Sequence, residues 1–82
     1  MHNWKVIEVK IKEKYTIHLT FLDGTTGEID LEPLLYGEIF IPLKDPKYFQ
    51  QLQIVGSSIG WPNGADFAPE FLYKEVKNSR QP

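Results

Sequence analysis

Residues 4–11 and 15–22 alternate apolar with polar side chains, and this period of two is the pattern of a half-buried strand. Ile7, Val9 and Ile11 share one face of a first stretch, 4–11. Tyr15, Ile17, Leu19 and Phe21 share one face of a second, 15–22. Lys12-Glu13-Lys14 is the polar link between them. The turn pair Asp23-Gly24 leads to a third strand from about Thr26 to Leu31, with Gly27, Ile29 and Leu31 on one side.

A register slip of one residue turns every side chain over, so the pattern restricts the pairing. A two-residue turn at Asp23-Gly24 sets Leu19 opposite Glu28 and Ile17 opposite Asp30, which puts carboxylates in the core. A three-residue turn over Asp23-Gly24-Thr25 pairs Leu19 with Ile29 and Ile17 with Leu31. This register is the one expected, with Gly24 or a neighbour at positive φ. The same logic pairs Val9 with Ile17 and Ile7 with Leu19. On the opposite face Glu8 then meets His18, and His18 meets Asp30, a setting that favours the imidazolium. Such a cluster reads as an exposed ion-pair row; a single histidine with no fourth ligand does not make a metal site. Trp4, Val6 and Leu22 fall on that outer face as well, where the C-terminal helix, a second copy or a partner would cover them.

Beyond Asp30 the pattern changes. Glu32-Pro33-Leu34-Leu35-Tyr36 reads as a short helical turn ended by Gly37, and Ile39-Phe40-Ile41 is a brief apolar run that Pro42 interrupts. Asp45 caps a helix from Pro46 to Leu52 that buries Phe49 and Leu52 beside Tyr48, with proline at the first helical position. Ile54-Val55 and Ile59–Trp61 flank Gly56-Ser57-Ser58 as a second short hairpin. Pro69 opens a last helix with Leu72 and Val76 one turn apart, fraying from Asn78 onward. The expected fold is α+β: a small antiparallel sheet (a three-strand meander plus a short second hairpin) with two or three short helices. One domain spans 1–82, with an ordered core of about 4–76 and a flexible tail at 77–82. Most of its core is expected to be Ile7, Val9, Ile11, Ile17, Leu19, Phe21, Ile29, Leu31, Phe49, Leu52 and Leu72.

With 82 residues and no cysteine, the chain holds together by its core or with a second subunit's help; it buries only about 60% of its unfolded surface. No apolar run reaches the roughly 20 residues of a membrane span. The start has no signal-peptide pattern, so a soluble cytoplasmic protein is expected. A net charge of −2 excludes nucleic-acid binding by bulk electrostatics. The charges are unevenly placed. Lys5, Lys10, Lys12 and Lys14 open the chain, and Lys74, Lys77 and Arg80 close it. From Asp23 to Leu43 there are acids (Asp23, Glu28, Asp30, Glu32, Glu38) and no base. That stretch is either a solvated face or a docking surface for a basic partner.

Catalytic chemistry has little to stand on. There is no cysteine, His2 is at the terminus, and Ser57 and Ser58 sit in a tight turn with no base nearby. Gly56-Ser-Ser-Ile-Gly60 lacks the lysine and long helix of a phosphate loop. Glu28, Asp30 and Glu32 do not match calcium-loop spacing. No cofactor or metal is expected, and the chain does not read as an enzyme. In Trp61-Pro62-Asn63-Gly64-Ala65-Asp66, proline fixes φ, Asn-Gly tolerates left-handed backbone and Asp accepts N–H bonds, so the six residues specify one rigid loop. Its role is structural, or it is a recognition loop with Trp61 as aromatic anchor and Asn63 and Asp66 as presented polar groups.

The succession Leu19-x-Phe21-x-Asp23-Gly24, Asp30-Leu31, Phe40-x-x-Leu43-x-Asp45-x-x-x-Phe49, Trp61-Pro62-Asn63-Gly64-Ala65-Asp66 and Pro69-x-x-Leu72-Tyr73 resembles the bacterial "domain of unknown function 2442" family from about Trp4 to Lys74. The Trp-Pro-Asn-Gly-x-Asp segment is its most specific part. The resemblance implies a small α+β domain without an established biochemical activity. Some longer relatives append a helix-turn-helix, for which this chain has no matching segment. Genes for similar domains often sit beside a second small gene, as toxin–antitoxin pairs do. The expected function is therefore a protein-interaction module, the antitoxin-like member of a two-gene pair. Its partner is another, basic protein, with a homodimer as a further option. The reading from another class is a small-molecule or nucleotide binder using the Trp61–Asp66 loop.

Overall fold

The computed structural model describes residues 4–79. Strands β1 (Val6–Glu13), β2 (Thr16–Phe21) and β3 (Thr26–Asp30) form an antiparallel meander with β2 in the middle. Two 3-10 helices (Glu32–Leu34 and Glu38–Lys44) and a one-turn helix α1 (Pro46–Phe49) lead to β4 (Gln53–Val55), β5 (Ser58–Gly60) and β6 (Asp66–Phe67). These make a second antiparallel sheet in the order β4-β5-β6, and helix α2 (Pro69–Ser79) closes the domain. The fold is α+β, as the alternation implies. The second sheet gains a strand over the expected hairpin, because β6 folds back on β5 and pairs Ile59 with Phe67 and Gly60 with Asp66. α2 runs through Ser79, past the expected boundary at Val76; the rest of the expected tail, 80–82, lies outside the described residues, as does His2.

The meander faces the way the alternation requires, but both pairings slide by two residues. Ile17 faces Ile29, and Leu19 faces Gly27 rather than Ile29. Val9 faces Leu19, and Ile11 faces Ile17. A shift of two preserves the inner and outer sets. The β2–β3 turn does hold three residues, but they are Leu22-Asp23-Gly24, closed by the Phe21 N–H on the Thr25 carbonyl at 2.8 Å. Gly24 takes φ +90°, a backbone state open to glycine, while the Asp23 carboxylate accepts the Thr25 N–H at 2.9 Å. The β1–β2 connection is Lys14-Tyr15, not Lys12–Lys14, since β1 continues to Glu13.

At the start of β1 the faces themselves change. Val6 pairs with Phe21 and Glu8 with Thr20, so Ile7 is an extra residue in the ladder. A bulge of this kind reverses the inward and outward sets on its two sides. Val6 is therefore buried, 1% exposed, and Ile7 is 48% exposed. This corrects two expectations: Ile7 is not core, and Trp4, Val6 and Leu22 do not share an outer patch. Trp4 packs against the core, and Leu22 stands in the turn, exposed.

The inner face, Ile17, Leu19, Phe21 and Ile29, is covered by α2, α1 and the segments between the sheets. Leu31, Leu35, Leu43, Phe49, Ile59, Trp61, Ala65, Leu72 and Val76 complete the core, while Val9, Ile11 and Leu52 pack at its edge. Asp45 caps α1 as expected, accepting the Lys47 N–H at 3.0 Å. The closest approach is at Gly27, where an added Cβ would stand 2.6 Å from Val76 Cγ1. Glycine is costly within a strand, and here it lets α2 settle against β3. Replacing Gly27 with alanine is expected to destabilise the domain by about 1–3 kcal/mol through overpacking. Adding Val76→Ala should recover part of that loss in urea unfolding. A single variant within experimental error of the parent would refute the close approach.

Candidate functional site

The acidic stretch is fixed by its own backbone chemistry. Glu28 and Asp30 project from the outer face of β3, and Asp30 accepts the Glu32 N–H at 3.0 Å to start the first 3-10 helix. Glu28, Asp30, Glu32 and Glu38 are exposed. The second 3-10 helix, Glu38–Lys44, repeats every three residues, so side chains at i and i+3 lie in line. Phe40 and Leu43 form the inward row: Leu43 is buried, and Phe40 stacks on Phe67 with centroids 5.2 Å apart. The other rows face water. Ile39 is 48% exposed, Ile41 58%, and Tyr36, just before the helix, 72%. Three large apolar side chains are thus presented within a run of chain that carries acids and no base before Lys44. Beside them an open groove of about 410 Å³ is lined by Tyr15, Glu32, Pro33, Leu35, Tyr36 and Lys44.

The Trp61–Asp66 loop supports this surface from inside. Trp61 is 4% exposed, its indole N–H donates to the Phe49 carbonyl at 3.0 Å, and its ring lies 5.5 Å from that of Phe49. It is core, and its ring is not available as a surface anchor. Asn63 accepts the Ala65 N–H at 3.0 Å, and its amide donates to the Ile39 carbonyl at 2.9 Å. The loop is therefore tied to the middle of the second 3-10 helix. Asp66 is exposed in β6 opposite Gly60. Among the described residues no peptide bond is cis.

Asp23 stands apart from the other acids. Tyr73 of α2 donates its hydroxyl to the Asp23 carboxylate at 2.5 Å, Thr25 donates to the Tyr73 oxygen at 3.4 Å, and the Lys77 ammonium lies 5.4 Å above the Tyr73 ring. The Tyr73 hydrogen bond, followed by the Thr25 N–H, holds the Asp23 carboxyl below its ordinary value. This latch between the β2–β3 turn and α2 is invisible along the sequence, where the partners are fifty positions apart. The outer-face trio is not brought together. Register places His18 between Lys10 and Glu28, Glu8 beside Thr20 and Asp30 beside Thr16. Among the described residues no group of three His, Cys, Asp or Glu is placed to hold a metal ion, and no helix is long and apolar enough to cross a membrane.

A family model described as "Protein of unknown function (DUF2442)" matches residues 6–78. The chain belongs to the domain of unknown function 2442 family. No curated protein and no solved structure matches it. In this member of the family the Trp-Pro-Asn-Gly-x-Asp segment acts as an internal brace, and the Asp-Gly and Leu-Tyr motifs meet in the Asp23–Tyr73 latch.

Two consequences can be measured. Asn63→Ala removes two hydrogen bonds and is expected to cost about 1–3 kcal/mol in urea unfolding; an unchanged midpoint would contradict the brace. For Asp23 the folded pKa is depressed, so its contribution to stability is full above the unfolded aspartate value and is lost as pH falls through the folded one. Asp23→Asn should therefore lower the melting temperature most at neutral pH, and the difference from the parent should close in acid. A pH-independent difference would remove the latch's electrostatic role.

Proposed function

We propose that this chain is a protein-interaction module, the antitoxin-like member of a bacterial two-gene pair, which seats a basic protein on the segment from Glu28 to Ile41. The observation that carries this reading is the exposure of Tyr36, Ile39 and Ile41 in a stretch of chain whose charged residues, Glu28, Asp30, Glu32 and Glu38, are all acidic and exposed. An apolar centre with a charged rim is the anatomy of a protein interface. The centre supplies affinity, and the acidic rim selects a cationic partner and speeds encounter. Inward anchoring by Phe40 and Leu43 keeps the segment in one shape, which lowers the ordering cost of binding. The Trp61–Asp66 loop is less suited to a small ligand, because its aromatic ring is committed to the core.

Co-expression with the product of the adjacent gene tests the proposal. A complex is expected whose affinity falls as salt rises. Glu28→Gln with Glu38→Gln should weaken it about fivefold, and Ile39→Ser with Ile41→Ser about tenfold or more, with melting temperatures near the parent's. Absence of a complex, or one indifferent to salt and to both pairs of changes, would overturn the proposal.

A further inference from the structure

The groove beside the apolar centre has a chemistry of its own. Leu35, 2% exposed, is its floor. Tyr15 is one wall, held edge-on to Phe49 with ring centroids 5.1 Å apart and donating its hydroxyl to the Lys44 carbonyl. Tyr36 and Pro33 bound the groove elsewhere, and Glu32 supplies a carboxylate at the start of a helical turn that Asp30 fixes. Two aromatic rings and a carboxylate around an apolar floor suit a flat cation with an aliphatic stem. Guanidinium is planar, stacks on tyrosine and hydrogen-bonds a carboxylate in two places, whereas ammonium is a compact, strongly hydrated charge. At about 410 Å³ the groove is near the lower end of the range for ligand sites, suited to one long side chain and its peptide groups. Lys44, the one cation of the lining among the described residues, admits a ligand with an acceptor beside its charge, which an arginine residue carries in its own carbonyls.

We propose that this groove is an arginine receptor: it seats a single arginine side chain of the basic partner, with Glu32 as counter-ion and Tyr15 and Tyr36 against the guanidinium. The inference rests on the docking role assigned to the neighbouring segment and names the residue that segment recognises. Capture of one arginine turns a diffuse charge preference into a fixed register between partners.

The test uses the whole chain and arginine blocked at both ends, followed by NMR. Saturable shifts are expected at Tyr15, Leu35 and Tyr36, with blocked lysine at least about fivefold weaker and blocked citrulline weaker still. Glu32→Gln and Tyr36→Ala, both at exposed positions, should each weaken blocked arginine about fivefold or more. Equal shifts from all three probes, shifts elsewhere, or binding of a free zwitterionic amino acid in preference to blocked arginine would overturn the receptor. A complex with the adjacent gene's product that is weakened by the Glu28–Glu38 and Ile39–Ile41 changes yet survives Glu32→Gln and Tyr36→Ala unchanged overturns the receptor and leaves the docking role standing. Saturable arginine binding without any such complex supports the receptor and removes the docking role.

Discussion

The β1–β3 meander is dry on one face only, and the rest of the chain is arranged by the need to cover that face. Ile17, Leu19 and Phe21 are wholly excluded from water in the central strand, each worth about 1.5–3 kcal/mol of burial as an upper bound. None of the covering elements is stable alone. α1 is a single turn, the strands of the second sheet have two or three residues, and isolated helices of such length do not persist in water. They fold because the meander offers them a surface, and the meander stays sheet because they exclude water from it. The cover is tight where β3 thins to Gly27 and lets Val76 in, and the Asp23–Tyr73 latch holds α2 there from the outside.

How much of this was legible depends on where each constraint is written. Alternation fixed which side chains of β2 and β3 face inward, because facing is a local property of a strand. Register was only half legible. Hydrophobic matching favoured Ile29 opposite Leu19, yet the true neighbour of Leu19 is Gly27, whose missing side chain is replaced by Val76 from a helix about fifty residues on. Pairwise matching between strands does not see a third element. The bulge at Ile7 was hidden for a different reason: Val6 and Ile7 are adjacent and nearly alike, so either could have faced the core. Leu35, Leu43, Ile59, Trp61 and Ala65 were missed as core because they lie in segments too short to show a period.

The candidate site divides along the same line. Charge is visible in a sequence, so the acidic stretch from Asp23 to Glu38 was found, although Asp23 is occupied by Tyr73 and the Glu8–His18–Asp30 grouping dissolved with the shifted register. Exposure is not visible. Ile39-Phe40-Ile41 reads only as a brief apolar run, whereas in the structure Phe40 turns inward and both isoleucines stand in water.

The repeat of three residues along Glu38–Lys44 also explains why the Trp61–Asp66 loop matters to a surface it does not itself form. A seven-residue 3-10 helix is longer than such helices commonly are, since its hydrogen bonds are poorly aligned and its rows eclipse. A proline within it removes a further donor. Its persistence needs holding from outside, and it is held along its length: Asn63 on the Ile39 carbonyl, Phe67 under Phe40, the core around Leu43, and the Tyr15 hydroxyl on the Lys44 carbonyl. Relaxed to an α-helix, the segment would bring Ile39 into line with Leu43, four residues on, and Ile39 would leave the exposed surface. The loop, the aromatic stack and the tyrosine therefore select between a surface that presents Ile39 and one that hides it. Residues outside that surface in this way decide what it presents.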